Sequence, residues 1–120
     1  MKVTLGRLQH CTFEQMTQLW NKGFEGYYSD MSKTTPQLLA KLAAQSIRPD
    51  LSVVAFDGDR PIGFVFLAFK TIDGKKLAWN GGSGLDMSYR GKGIGKQMMI
   101  EAERIIEDEQ VDAAYLEVVT

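Results

Sequence analysis

Cysteine and histidine are almost missing from this chain: Cys11 and His10 are the only ones in 120 residues. A single cysteine excludes an internal disulfide and fits a reducing compartment. The two together fall short of any structural zinc set, so no metal is expected. Their adjacency raises a nucleophile–base pair, but neighbours in a strand project to opposite faces, and an inert role is expected. An excess of one charge is missing too. Lysine and arginine total 14 against 15 acidic residues, a formal net charge of -1. That gives no general attraction to nucleic acid or to a membrane, and neither is expected as a partner. The longest apolar run, Ile62 to Phe69, is far shorter than the roughly twenty residues that span a bilayer. The first residues lack the basic, apolar pattern of a secretory signal, and a cytoplasmic location is the expectation.

Hydrophobic residues make up 44% and charged residues 24%, as in a globular domain rather than a disordered segment. A chain of this length buries roughly two-thirds of its unfolded surface. No linker, repeat or low-complexity stretch divides it, so residues 1–120 read as a single domain.

Glycine and cations concentrate at one place, Tyr89-Arg90-Gly91-Lys92-Gly93-Ile94-Gly95-Lys96. A glycine-rich turn lets backbone approach an anion, and a helix N-terminus behind it offers unpaired N–H groups and positive dipole. A phosphate site is the leading reading; a plain strand-to-helix turn with solvated lysines is the alternative. Two common phosphate loops are excluded by spacing. A Walker A loop needs glycine where Arg90 stands and serine or threonine where Gln97 stands. A dinucleotide fingerprint needs its third glycine at Lys96.

The flanks give the order of elements. Val3 to Leu8 reads as a strand. Thr12 and Gln15 form a capping-box pattern ahead of an apolar stripe at Phe13, Met16, Leu19 and Trp20, and Gly23 fits the stop. Residues 24–31, with Phe24, Tyr27 and Tyr28, have no period and read equally as a substrate loop or a packed connection. Thr35-Pro36 predicts a second helix capped by Thr35, with Leu38, Leu39, Leu42 and Ala43 on its apolar face. Ser52 to Phe56 and Ile62 to Phe69 read as strands joined through a hairpin, the second apolar enough to be covered on both faces. Asp73-Gly74 marks a further turn into a strand over Lys76 to Asp86, in which Gly81-Gly82-Ser83-Gly84 suits a bulge or a closely approaching ligand. A helix from about Gly93 to Glu109 and a strand from Ala113 to Val119 complete the pattern. The order is βααβββαβ, an α/β sandwich around a central mixed sheet.

Arg90-x-x-Gly93-x-Gly95, preceded by Gly84-Leu85-Asp86-Met87-Ser88-Tyr89, resembles the acyl-CoA signature of the GNAT N-acetyltransferase superfamily, and the order of elements resembles that fold through its fifth strand. The resemblance implies that acetyl-CoA is the cosubstrate and that an amine accepts the acetyl group. It implies that backbone N–H groups of Arg90, Gly91, Lys92, Gly93, Ile94 and Gly95 receive the pyrophosphate, with Lys96 nearby. It also maps the pantetheine-binding segment onto Ser83, Gly84 and Leu85, with the Ser83 N–H placed to stabilise the thioester oxyanion. No general base is identified: Trp79 stands where one subgroup has glutamate, and Asp86, Glu25 and Glu117 are the candidate carboxylates. Ser83, Asp86 and Glu117 are therefore the expected catalytic positions. Family members usually continue with a helix that carries a thiolate-protonating tyrosine and then two strands. Tyr89 and Tyr115 are not its equivalents. The expectation is thus of a domain incomplete after the fifth strand, with an open edge there and a tendency to form homo-oligomers. A non-catalytic acyl-CoA-binding or regulatory module is the alternative function, and a nucleotide-binding protein a weaker third.

Overall fold

The computed structural model describes residues 2–25 and 32–115. Helix α1 (Phe13–Gly23) opens on the expected capping box. Thr12 Oγ1 accepts from the Gln15 N–H at 3.1 Å, and Gln15 Oε1 accepts from the Thr12 N–H at 2.8 Å. Helix α2 (Thr35–Ala44) opens on a second box, one residue earlier than the sequence pattern indicates. Thr34, not Thr35, is the N-cap, because Gln37 stands three residues after it and its side chain reaches back to the Thr34 N–H at 2.9 Å. Pro36 sits inside the first turn, where its missing N–H costs no hydrogen bond.

Five strands form one sheet in the order β1 (Val3–Arg7), β2 (Val53–Asp57), β3 (Arg60–Ile72), β4 (Lys75–Leu85) and β5 (Ala113–Tyr115). The first four pair antiparallel, and β4 pairs with β5 in parallel. Strand β3 is longer than its apolar run because the hairpins at both ends extend it. Asp73 and Gly74, at φ 52° and 77°, close the tight turn into β4. Residues 116–119 of the last expected strand lie outside the described residues.

The central position of β3 explains its composition. Phe64, Phe66 and Ala68 pack beneath α1 and α2 with Leu8, Trp20 and Leu38. Val65, Leu67 and Phe69 face the other way, toward Met98, Ala102 and Ile105 of α3 (Ile94–Asp108). With both faces covered, period-two polarity disappears from the strand. Cys11 is buried and His10 exposed at the end of a 3-10 turn, so they diverge without being in a strand at all. Among the described residues no helix is long and apolar enough to cross a membrane.

Candidate functional site

The C-terminal half of β4 is irregular for a definite reason. Phe66 pairs with Gly82 and Leu67 with Asn80, which leaves Gly81 as an extra residue in β4. Asn80 Oδ1 accepts the Gly82 N–H at 2.8 Å and stabilises the bulge from within. Side chains are excluded here by the helical layer. A Cβ on Gly81 would lie 2.8 Å from Ile47, one on Gly82 2.8 Å from Trp20, and one on Gly84 3.0 Å from the backbone of Gly23. The glycine run therefore lets α1 descend onto the bulge; on that face the close approach is made by the protein itself. The sequence reading treats Gly23 only as a helix stop, yet its lack of a side chain is what admits β4.

Beyond the bulge, hydrogen-bond direction follows from register. The Asp86 N–H donates inward to the Ile62 carbonyl at 2.8 Å. Alternation along the strand then turns the peptide groups of Leu85 and Ser83 outward, toward the side of β5. The Leu85 carbonyl agrees, since it accepts from Arg90 Nε at 3.0 Å. Described pairing of β5 with β4 runs only from Leu77 to Trp79. Among the described residues, no strand is hydrogen-bonded to the outer edge of β4 at Ser83 and Leu85.

Between β4 and α3 the chain makes a short 3-10 turn, Met87–Tyr89. Asp86 caps it by accepting the Ser88 N–H at 3.0 Å, and its second oxygen pairs with Arg60 at 3.3 Å. Tyr89 donates its hydroxyl to Asp57 at 2.5 Å, which holds the phenol above its ordinary pKa, with burial adding to the effect. Arg90 turns back: besides the Leu85 carbonyl, it reaches the Gly23 carbonyl at 3.2 Å. Its own N–H donates to Met87. The Arg90 side chain thus clasps the ends of β4 and α1, a task not visible in the sequence.

The glycines that follow are a different case. Gly91 and Gly93 have φ of 79° and 80°, and a Cβ at Gly91, Gly93 or Gly95 would meet nothing within 4 Å. Their purpose is conformational, with open space before them. Gly93 is the N-cap of α3 and offers no capping side chain. Among the described residues, the N–H groups from Gly91 through Lys96 donate to no protein acceptor. Lys92 and Lys96 are exposed and lie in no ion pair among the described residues. Ile94 is buried and anchors the turn on the α3 core. Such a sequence of unpaired donors, helix dipole and cations matches a polyanion.

The structure thus brings Ser83, Gly84, Leu85, Asp86 and residues 90–96 to one end of the sheet. Glu117 lies outside the described residues, as does the greater part of the 24–31 segment. Glu25 is exposed and pairs with Lys22 at 3.4 Å. No group of three potential metal ligands occurs among the described residues.

A mixed sheet with two helices on one face, a third on the other, and a glycine-rich turn after a bulged fourth strand is the α/β architecture that carries this site. The family model "Acetyltransferase (GNAT) family" matches residues 13–120, and the chain belongs to that family. Among solved structures, a GNAT family acetyltransferase from Brucella melitensis in complex with acetyl-CoA superimposes with a TM-score of 0.77 at 16% identity, over 98% of this chain and 77% of that one. The NatC complex bound to Gag peptide and CoA gives 0.74 at 19% identity, covering 98% and 75%. A GNAT family acetyltransferase from Staphylococcus aureus gives 0.73 at 14% identity, covering 100% and 89%. No curated protein matches in sequence.

Proposed function

We propose that this protein is an N-acetyltransferase that moves the acetyl group of acetyl-CoA to a primary amine. The observation that carries the reading is the run of N–H groups from Gly91 through Lys96 that find no acceptor among the described residues, at the end of a strand whose outer edge turns Ser83 and Leu85 outward. The pyrophosphate is held by those N–H groups and by Lys92 and Lys96, while Arg90 positions the turn. The pantetheine arm lies along the Ser83–Leu85 edge and pairs with it as another strand would.

In the reaction the neutral amine nitrogen attacks the thioester carbonyl carbon, the C–S bond breaks, and the proton lost by nitrogen balances the one gained by the CoA thiolate. The Ser83 N–H stabilises the oxyanion formed on the way. Asp86 and Glu117 remain the carboxylates proposed for proton removal. Both oxygens of Asp86 already accept hydrogen bonds, so it acts first as a positioning residue for the turn. A homo-oligomer in the cytoplasm is the assembly this reading expects.

The second reading, a non-catalytic acyl-CoA-binding module, draws on the same engagement of Asp86 and on Trp79 at the position where a base is expected. Thiol release from acetyl-CoA with a broad panel of primary amines separates the two. Amine-dependent release supports transfer. Tight CoA binding with no release for any amine would leave the binding module as the function.

A further inference from the structure

On the α1/α2 face of the β4 bulge, two lysines lie over one tryptophan ring, and among the described residues neither is paired with a carboxylate. Lys33 Nζ lies 5.5 Å and Lys41 Nζ 5.3 Å from the centroid of the Trp20 ring. That ring is the group a Cβ on Gly82 would strike, at 2.8 Å. Lys41 Nζ also donates to Gln45 Oε1 at 2.8 Å, and that oxygen lies 3.7 Å from where a Cβ on Gly81 would stand. Both ammonium groups therefore lie over the ring that packs on Gly82, and Lys41 reaches the Gly81 side through Gln45, on the face opposite α3.

The Lys33 backbone is held in place by a neighbouring side chain. Asn21 holds the Lys33 backbone at both ends, accepting its N–H at 2.8 Å and donating to its carbonyl at 3.0 Å. Lys41 is half-buried on α2, and burial and the nearby Lys33 charge both lower its pKa. Among the described residues neither lysine belongs to an ion pair. The quadrupole of one tryptophan relieves such crowding only in part. A bound anion relieves it directly.

We propose that Lys33 and Lys41 recognise an anionic group, a carboxylate or a phosphate, on the acceptor amine. The inference rests on the acetyltransferase reading and adds a substrate class to it. The acyl donor meets β4 from its edge and the α3 turn; the acceptor's anion is held on the opposite face, against Trp20.

The test uses the whole protein and amines in matched pairs. Glycine, β-alanine and γ-aminobutyrate are compared with their primary amides, and phosphoethanolamine with ethanolamine. The anionic member of at least one pair should be preferred in kcat/KM by about tenfold or more. Which pair responds distinguishes carboxylate from phosphate and reads the spacing. In the Lys33→Gln, Lys41→Gln double variant the preference should vanish through KM, with the KM for acetyl-CoA unchanged, and Arg at both positions should restore it. The midpoint of thermal unfolding should hold or rise in the Gln variant, because a like-charge pair has been removed. Quenching of tryptophan fluorescence by the N-acetylated products provides a readout that needs no turnover. Equal kcat/KM within every pair, or a preference unchanged in the double variant, overturns the proposal. A lowered melting midpoint with unchanged preference assigns the lysines to packing and also overturns it. If CoA binds and acid preference is absent, this inference alone falls. If the acidic products bind while CoA does not, the anion site stands and the acetyltransferase reading falls.

Discussion

At the scale of single residues, the structure separates groups that act through backbone from those that act through side chains. Ser83 is proposed to belong to the first kind. Its peptide N–H faces the β5 side, whereas its hydroxyl meets Asn80 Nδ2 only at 3.4 Å. Ser83→Ala should retain most CoA affinity, while Ser83→Pro should lose it by removing the donor. Calorimetry on both variants checks this; a large loss in the alanine variant with its fold intact would reject the backbone assignment. Glu101 belongs to the second kind. A hydrogen bond from Arg104, then one from Arg7, outweighs burial and holds its carboxyl at about 2, below the ordinary 4.5. Its folded pKa is depressed, so its stabilisation is full above pH 4.5 and is lost as pH falls toward 2. Wild type should therefore exceed Glu101→Gln in melting temperature near neutrality, and the gap should close across that acid window. Cys11 lies deep enough that burial pushes its thiol to about 11. Alkylation at pH 8 should be slow in the native protein and fast in urea.

At the scale of elements, the ends of β4 and α1 and the start of the glycine turn form one mechanical unit. Arg90 links the Leu85 and Gly23 carbonyls, and Gly84 meets Gly23 without intervening side chains. Arg90→Ala should lower thermal stability and CoA affinity together, since it releases both carbonyls and loosens the turn. An affinity loss without any change in melting would instead place the guanidinium on the ligand. Gly84→Ala forces a methyl to 3.0 Å from Gly23 backbone and should cost roughly 1–3 kcal/mol in stability, read from denaturant unfolding.

The same unit shows what the sequence reveals and what it does not. Periodicity and caps disclose the elements because local chemistry determines them: Thr12 with Gln15, Asp73 with Gly74, and the apolar run of β3 are each readable within a few residues. The glycine turn is readable for the same reason. The reason for Gly82 and Gly84 is not, because the groups that require their small size, Trp20 and Gly23, lie some sixty residues away in sequence. Arg90 presents the same difficulty. Its spacing to Gly93 and Gly95 identifies the motif, yet its side chain serves two distant carbonyls. The one-residue error at α2 is local: Thr34 and Thr35 both cap well, and only the reach of Gln37 decides between them.

At the scale of the whole molecule, the two sides of the sheet divide the work. The α3 side delivers the glycine turn, and the α1/α2 side closes over the bulge with Trp20 and its two lysines. Strand β4 lies between them and turns an edge outward where its described pairing with β5 stops. This edge and turn are proposed to bind CoA, with the pyrophosphate on the backbone of residues 91–96. Calorimetric titration of wild type and Gly93→Val with CoA and with pantetheine, which lacks the pyrophosphate, tests this central claim most directly. Valine at a left-handed N-cap strains the turn and blocks backbone approach. Wild type should bind CoA far more tightly than pantetheine, and the folded variant should lose about 2 kcal/mol for CoA while its weak pantetheine binding barely changes. Undiminished CoA affinity in folded Gly93→Val, or equal affinity of wild type for the two ligands, would contradict the claim.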